Sequence, residues 1–339
     1  MPDNTFLIWL EFVLCAICIG MAGVSLSRYG DVIAGKTGLS GGWIGLILLA
    51  TVTSLPELIT GMSSVLLAGV PNIAVGDVFG SCVFNLMILV ILDFLHRGES
   101  AFRQASQNHI LSAGFGIVLI GFAGLNVLLA DKTQHLAFWH IGVYAPVIVM
   151  LYLIAARSVY IYERRQFEKI AEKAADRYPD ISLRQAIHRY IIAAAIVVIA
   201  GIALPFVGVQ LAETMGWHNT FVGTLFVAGA TSLPEAAVTI SALRIGALDM
   251  AIANLMGSNL FNILILAFDD LLFFEGPLLS HVSPMHAMSA MSAVIMSGIV
   301  IIGLLYRPRT ALFRRIGWIS LSLFTLYLFN TYLLYLHGE

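Results

Sequence analysis

Residues 45–93 read GLILLATVTSLPELITGMSSVLLAGVPNIAVGDVFGSCVFNLMILVILD, and residues 223–270 read GTLFVAGATSLPEAAVTISALRIGALDMAIANLMGSNLFNILILAFDD. With one residue deleted at the turn, Thr53, Ser54, Leu55, Pro56 and Glu57 align with Thr231, Ser232, Leu233, Pro234 and Glu235. Gly80, Ser81, Phe84 and Asn85 then align with Gly257, Ser258, Phe261 and Asn262. A hairpin is duplicated, and each copy sets a proline and a glutamate inside an apolar run. An internal repeat of this kind decides the architecture before any single residue is weighed.

The surrounding composition gives the solvent. Of 339 residues, 59% are hydrophobic and 11% charged, against about 25% charged in soluble domains, and the mean hydropathy is +0.90. Apolar runs long enough to cross about 30 Å of hydrocarbon fall at about 5–27, 42–67, 72–95, 109–130, 137–160, 188–213, 219–245, 248–274, 285–306 and 315–336. The expectation is an all-α integral membrane protein of about ten spans. Residues 1–161 form the first five-helix repeat and 188–339 the second, joined by a polar linker at 162–187. The first run follows MPDNT, which lacks the basic start of a signal peptide, and is read as a retained helix.

Orientation follows the excess of Lys and Arg in cytoplasmic loops. With both termini outside, every one of the 18 basic residues except Lys132 falls on the inner side. The linker is then cytoplasmic, and a net charge of −2 gives no reason to expect a nucleic-acid partner. Its Glu, Lys, Arg and Ala content favours helix, so the fifth span is expected to run on toward Pro179. The partner is the lipid bilayer, and the compact size suggests a prokaryotic-type plasma (inner) membrane.

Cys15, Cys18 and Cys82 all lie in apolar spans. One CxxC pair without a second offers no zinc site, and the three are read as small core residues. The nine histidines show no metal-ligating spacing, although His281 and His286 on one short loop are candidates for sensing outside pH. Glu11, Asp93, Asp269 and Asp270 lie near span ends and are read as interfacial acids.

Because an odd number of spans separates the two copies of TSLPE, they enter the membrane from opposite sides. Inverted repeats with interrupted helices place transporter sites near mid-membrane and suit alternating access. Pro56 and Pro234 cannot donate to the carbonyls of Val52 and Ala230, and Gly80 and Gly257 are expected either to break their helices or to allow close approach. Helical spacing puts Thr53 and Ser54 on the face of Glu57, and Thr231 and Ser232 on that of Glu235. Asp77, Ser81 and Asn85 form one stripe, and Asn254, Ser258 and Asn262 form its counterpart. The lining is all oxygen and amide, which suits a hard cation such as Ca²⁺; no His or Cys lies on any stripe, which argues against zinc or copper. Any single hydroxyl here could instead serve helix packing, whereas an acid in mid-membrane is functional by default.

The pair ATVTSLPEL with GDVFGSCVFN, and its partner AGATSLPEA with ANLMGSNLFN, resemble the two alpha-repeats of the cation/calcium antiporter superfamily, closest to its sodium/calcium exchanger branch. The resemblance implies a secondary antiporter that exchanges Ca²⁺ for Na⁺, and no tightly bound cofactor. It implies that Glu57, Glu235 and the carbonyls of Thr53 and Thr231 ligate Ca²⁺. Ser54, Ser81, Ser232 and Ser258, with the carbonyls of Ala50 and Ala228, are implied for Na⁺, and Asn85 and Asn262 for the central layer. This chain departs from the pattern in three places: Asn262 stands where some members carry aspartate, Asp77 where asparagine is usual, and Cys82 where the second repeat keeps Asn259. Asp77 is therefore a candidate extra cation or proton position. Proton-coupled exchange remains the alternative; an intramembrane protease or a channel fits the paired serines and broken helices poorly.

Overall fold

The computed structural model describes residues 2–37, 52–96, 99–133, 137–167, 180–307, 311–312 and 316–337. The first half comprises α1 (Pro2–Thr37), α2 (Leu55–Ser63) closed by a π-helical turn at Ser64–Ala68, and α3 (Pro71–Leu95). A short α4 (Ala101–Gln104) and then α5 (His109–Thr133) follow, and a two-residue hairpin of β1 (Ala137–Phe138) and β2 (Ile141–Gly142) leads into α6 (Tyr144–Phe167). The second half opens with α7 (Leu183–Met215) and α8 (Asn219–Val222), a π-helical turn at Gly223–Val227, α9 (Ala228–Thr231) and α10 (Leu233–Arg244). It ends with α11 (Leu248–Leu272), a 3-10 turn at Leu278–His281, α12 (His286–Tyr306), a second hairpin of β3 (Ala311–Leu312) and β4 (Ile316–Gly317), and α13 (Trp318–His337).

Among the described residues, eight helices are long and apolar enough to cross a membrane, and the pair Asn219–Thr231 and Leu233–Arg244, bent by 43°, makes a ninth. The remaining expected span, 42–67, is described only from residue 52, so Ala50 lies outside the described residues, as do residues 168–179 of the linker. The linker's end is defined: the Ser182 hydroxyl accepts from Gln185 N at 3.3 Å, and the Gln185 side chain accepts from Ser182 N at 3.2 Å, a reciprocal cap that starts α7. The fifth span does run on, to Phe167.

The helices that carry the polar stripes are the enclosed ones. Buried residues make up 67% of the apolar stretch of α3 and 89% of that of α11, against 28% for α1, α6 and α13. The outer helices turn Phe6, Met21, Leu153 and Leu328 outward, as hydrocarbon permits. Cys18 is exposed in the same way on α1, so of the three cysteines only Cys82 is a buried core residue.

Two starts are displaced from the sequence expectation by hairpins. Residues 137–142 and 316–317 belong to hairpins rather than to the spans at 137–160 and 315–336. Both hairpins end in Ile-Gly and dock on an aspartate of the other half. Asp270 accepts from Gly142 N and Leu278 N, each at 2.8 Å, and from the Tyr144 hydroxyl. Asp93 accepts from Ala101 N at 2.7 Å, from the Ser100 hydroxyl at 2.9 Å and from the Ser320 hydroxyl at 2.5 Å. These acids are therefore buried acceptors that pin loops, not interfacial groups. Asp269 is fully buried as well, while Glu11 is exposed. His286 is also buried, with Nε2 3.1 Å from Asn72 Oδ1, whereas His281 is exposed.

Candidate cation site

Each TSLPE copy interrupts its helix at the serine. Ser54 (φ −88°, ψ 14°) and Ser232 (φ −83°, ψ 7°) leave the helical run, and α2 and α10 restart with Pro56 and Pro234 in their first turns. A proline costs little there, because a first-turn amide has no helical acceptor. The break therefore falls two residues before each proline and turns the serine and glutamate side chains of both copies toward one interior point.

The glycines act differently. α3 runs unbroken through Gly80, and α11 through Gly257, so two helices are interrupted rather than four. A mid-helix glycine costs only about 1 kcal/mol, which packing offsets. Gly80 instead admits its neighbour: a Cβ there would lie 2.7 Å from both the Ala228 Cβ and the Thr224 Cα, against the π turn and α9.

The result is a crossed arrangement. The Ser54 hydroxyl donates to Glu235 Oε1 at 3.2 Å, and the Ser232 hydroxyl donates to Glu57 Oε1 at 3.2 Å. The stripes join it in the same crossed sense. The hydroxyls of Thr53 and Ser258 lie 3.2 Å apart, those of Thr231 and Ser81 3.5 Å apart, and Ser258 also donates to Glu235 Oε1 at 3.3 Å. The Ser232 and Ser81 hydroxyl oxygens lie 3.0 Å apart.

Asp77 joins from α3, accepting from Thr231 at 2.8 Å and from Ser81 at 3.4 Å. The Thr231 hydroxyl is also 3.2 Å from the carbonyl of Ala228, which places that carbonyl at the site's edge. Asn85 donates to Asn259 Oδ1 at 3.0 Å, while neither amide atom of Asn262 is hydrogen-bonded. From the sequence, Asn259 is named only as the counterpart of Cys82, without a place in the site. It fills the place opposite Cys82, bonding that residue's carbonyl at 3.3 Å, and its position in the GSN triplet was the available signal.

Every expected site residue among those described is buried: Glu57, Glu235, Thr53, Thr231, Ser54, Ser81, Ser232, Ser258, Ala228, Asn85, Asn262 and Asp77 are all 0% exposed. Glu57 Oε2, Glu235 Oε2 and Asp77 Oδ2 make no hydrogen bond. Arg103 pairs with Glu99, and His109 Nε2 lies 3.0 Å from Asp249; neither contact involves a residue of this cluster. The donor set is thus two carboxylates, a third flanking one, hydroxyls and amides, and among the described residues no Lys, Arg or His forms an ion pair with them. Buried carboxylates in that state require an external positive charge or a proton.

The chain matches the family described as Sodium/calcium exchanger protein over residues 7–159 and 188–333, one stretch in each half. It is 26% identical over 224 residues to "Inner membrane protein YrbG" of Escherichia coli, covering 66% of each chain. It is 47% identical over 55 residues to "Sodium/calcium exchanger MaX1" of Methanosarcina acetivorans, a stretch that is 16% of each. The aligned regions are therefore under two thirds of those relatives' length. Its fold resembles that in "Crystal Structure of H+/Ca2+ Exchanger CAX", with a TM-score of 0.71 at 14% identity over 97% of this chain and 85% of that one.

Proposed function

The chain belongs to the sodium/calcium exchanger protein family, and from that premise we propose that it is a secondary antiporter exchanging Ca²⁺ for Na⁺ through the site between the two TSLPE breaks. The observation that carries the proposal is the crossed pair, Ser54 on Glu235 and Ser232 on Glu57, in which each buried carboxylate keeps one oxygen free of hydrogen bonds. Glu57 and Glu235, with the carbonyls of Thr53 and Thr231, are the Ca²⁺ ligands; their two negative charges match one divalent ion. Ser54, Ser81, Ser232 and Ser258, with the carbonyls of Ala50 and Ala228, serve Na⁺, and Asn85 and Asn262 complete the layer.

The mechanism follows from the charge. When Ca²⁺ or Na⁺ neutralises the carboxylates, the site can pass through an occluded state; an unneutralised pair cannot, because a buried unpaired charge is too costly. Ca²⁺ and Na⁺ compete to neutralise the same two carboxylates, Glu57 and Glu235, so each half-cycle carries one or the other. One half rocking against the other moves the site between the two membrane faces. The positive-inside count puts both termini outside and the 162–187 linker in the cytoplasm, in a prokaryotic-type inner membrane.

A second reading has a specific basis. Asp77 adds a third buried carboxylate, and the fold likeness includes a protein titled as an H⁺/Ca²⁺ exchanger. Radiolabelled Ca²⁺ uptake into proteoliposomes under an imposed Na⁺ gradient, and separately under a pH gradient, distinguishes the two. Uptake driven by Na⁺ alone is expected. Uptake driven only by the pH gradient transfers the coupling to protons.

A further inference from the structure

Seven residues past Asn262 on α11, Asp269 is fully buried and neither of its carboxylate oxygens makes a hydrogen bond. Seven residues are two helical turns, about 10 Å, so Asp269 shares the face of Asn262 but sits toward the helix end. Opposite it lies Gly61, one turn beyond Glu57 on α2. A Cβ at Gly61 would stand 2.5 Å from Asp269 Oδ2 and 2.8 Å from Oδ1, so the carboxylate rests directly on bare backbone. Glycine at 61 is what makes room for it.

Among the described residues, no ion pair balances this group. Asp270, the next residue, is committed to Gly142, Tyr144 and Leu278. Among the described residues no Lys, Arg or His forms an ion pair with it. The first repeat has leucine, Leu92, at the equivalent position, so the acid is not a by-product of the duplication. A carboxylate buried without a hydrogen bond is tolerated only when a cation or a proton neutralises it.

We propose that Asp269 is an auxiliary cation position, flanking the central site on the side where α2 and α11 end, and that it takes one monovalent positive charge, Na⁺ or H⁺. Asp77, buried with one carboxylate oxygen free of hydrogen bonds, borders the central hydroxyls through Thr231 and Ser81. The extra charge rests on the antiporter reading for its role in the transport cycle, but not for its binding.

The test separates the two levels. In detergent, equilibrium binding of radiolabelled Na⁺ and proton uptake on acidification are counted per chain for wild type, Asp269→Asn and Gly61→Ala. One fewer Na⁺, or one fewer proton, is expected in Asp269→Asn, and whichever count falls identifies the cation. In proteoliposomes, radiolabelled Ca²⁺/Ca²⁺ self-exchange is then titrated with Na⁺ and with pH. Asp269→Asn is expected to keep its Ca²⁺ half-saturation within about threefold, under 1 kcal/mol, while the Na⁺ or the pH curve becomes less steep. Gly61→Ala, which crowds the carboxylate, should shift the same curve. Should the asparagine variant fail to purify as a single species, Gly61→Ala alone reads both assays. Unchanged counts and overlaid curves make Asp269 an inert neutral carboxyl and overturn the proposal. A Ca²⁺ affinity loss of about tenfold or more with both curves unchanged also overturns it, by assigning Asp269 to the Ca²⁺ site. Absence of any Ca²⁺ self-exchange in wild type sinks the antiporter reading instead and leaves the detergent counts to decide Asp269.

Discussion

The Ser54 hydroxyl reaches Glu235 across 181 residues of chain, at 3.2 Å, and its counterpart in the other repeat, Ser232 to Glu57, spans the same distance. Each half of the chain thus positions the other half's acid. On the proposed reading, the two TSLPE copies hold one site between them rather than making two.

The equality of the crossed bonds sets a first expectation. A hydrogen bond to a charged group contributes roughly 1.5–3 kcal/mol. Ser54→Ala and Ser232→Ala should each weaken the Na⁺ dependence of Ca²⁺ uptake by about 10-fold or more, and by factors close to each other. A strongly one-sided result, with one serine indispensable and the other silent, would break the symmetry on which the shared site depends.

A second expectation concerns Gly80. Because a Cβ there would come within 2.7 Å of Ala228 and of the Thr224 backbone, Gly80→Ala must push α3 away from the π turn and α9. The displacement moves Ser81, which meets both Thr231 and Ser232. Overpacking costs about 1–3 kcal/mol. Ca²⁺ uptake should fall several-fold in protein that still purifies as a single species. Wild-type uptake in Gly80→Ala would mean that the close approach is not needed.

The docking aspartates give a third. Asp270→Ala strands two buried backbone donors, at Gly142 and Leu278, and Asp93→Ala strands the Ala101 amide. Each orphaned donor costs about 1–3 kcal/mol. Both variants should lower the melting temperature in detergent, Asp270→Ala more than Asp93→Ala, while the Ca²⁺ half-saturation of the surviving protein stays near wild type. A large affinity change with an unchanged melting temperature would place these acids in transport rather than in architecture.

Asp77 supplies a fourth. Its Oδ1 accepts from Thr231 and Ser81, a role that an amide oxygen can keep. Asp77→Asn should therefore retain Ca²⁺ self-exchange, with a half-saturation within about threefold of wild type. Complete loss of Ca²⁺ binding in this variant would make Asp77 a third Ca²⁺ carboxylate.

The strongest features of the fold and site were readable because they are local violations of an apolar pattern. A proline and an acid at Pro56–Glu57, repeated at Pro234–Glu235, mark the breaks whatever surrounds them. Helical spacing alone then brings Asp77, Ser81 and Asn85 onto the buried face of α3. Other features depend on where distant chain returns. Whether Gly80 breaks its helix or admits a neighbour is decided by the turn at Gly223–Val227, which single-chain spacing does not reveal. Asp93 and Asp270 read as interfacial because they end their spans, yet Ser320 and Gly142 fold back over them. Asp269 carried an unused signal, its seven-residue spacing from Asn262; its significance needed Gly61 to be seen opposite.

The shared site is tested most directly by counting Ca²⁺ bound at equilibrium to the purified protein, alongside Glu57→Gln and Glu235→Gln. The account predicts one Ca²⁺ per chain in wild type, displaced by Na⁺, and none in either variant, since each glutamate supplies half of one site. Two Ca²⁺ per chain, or binding that survives in either variant, would contradict it.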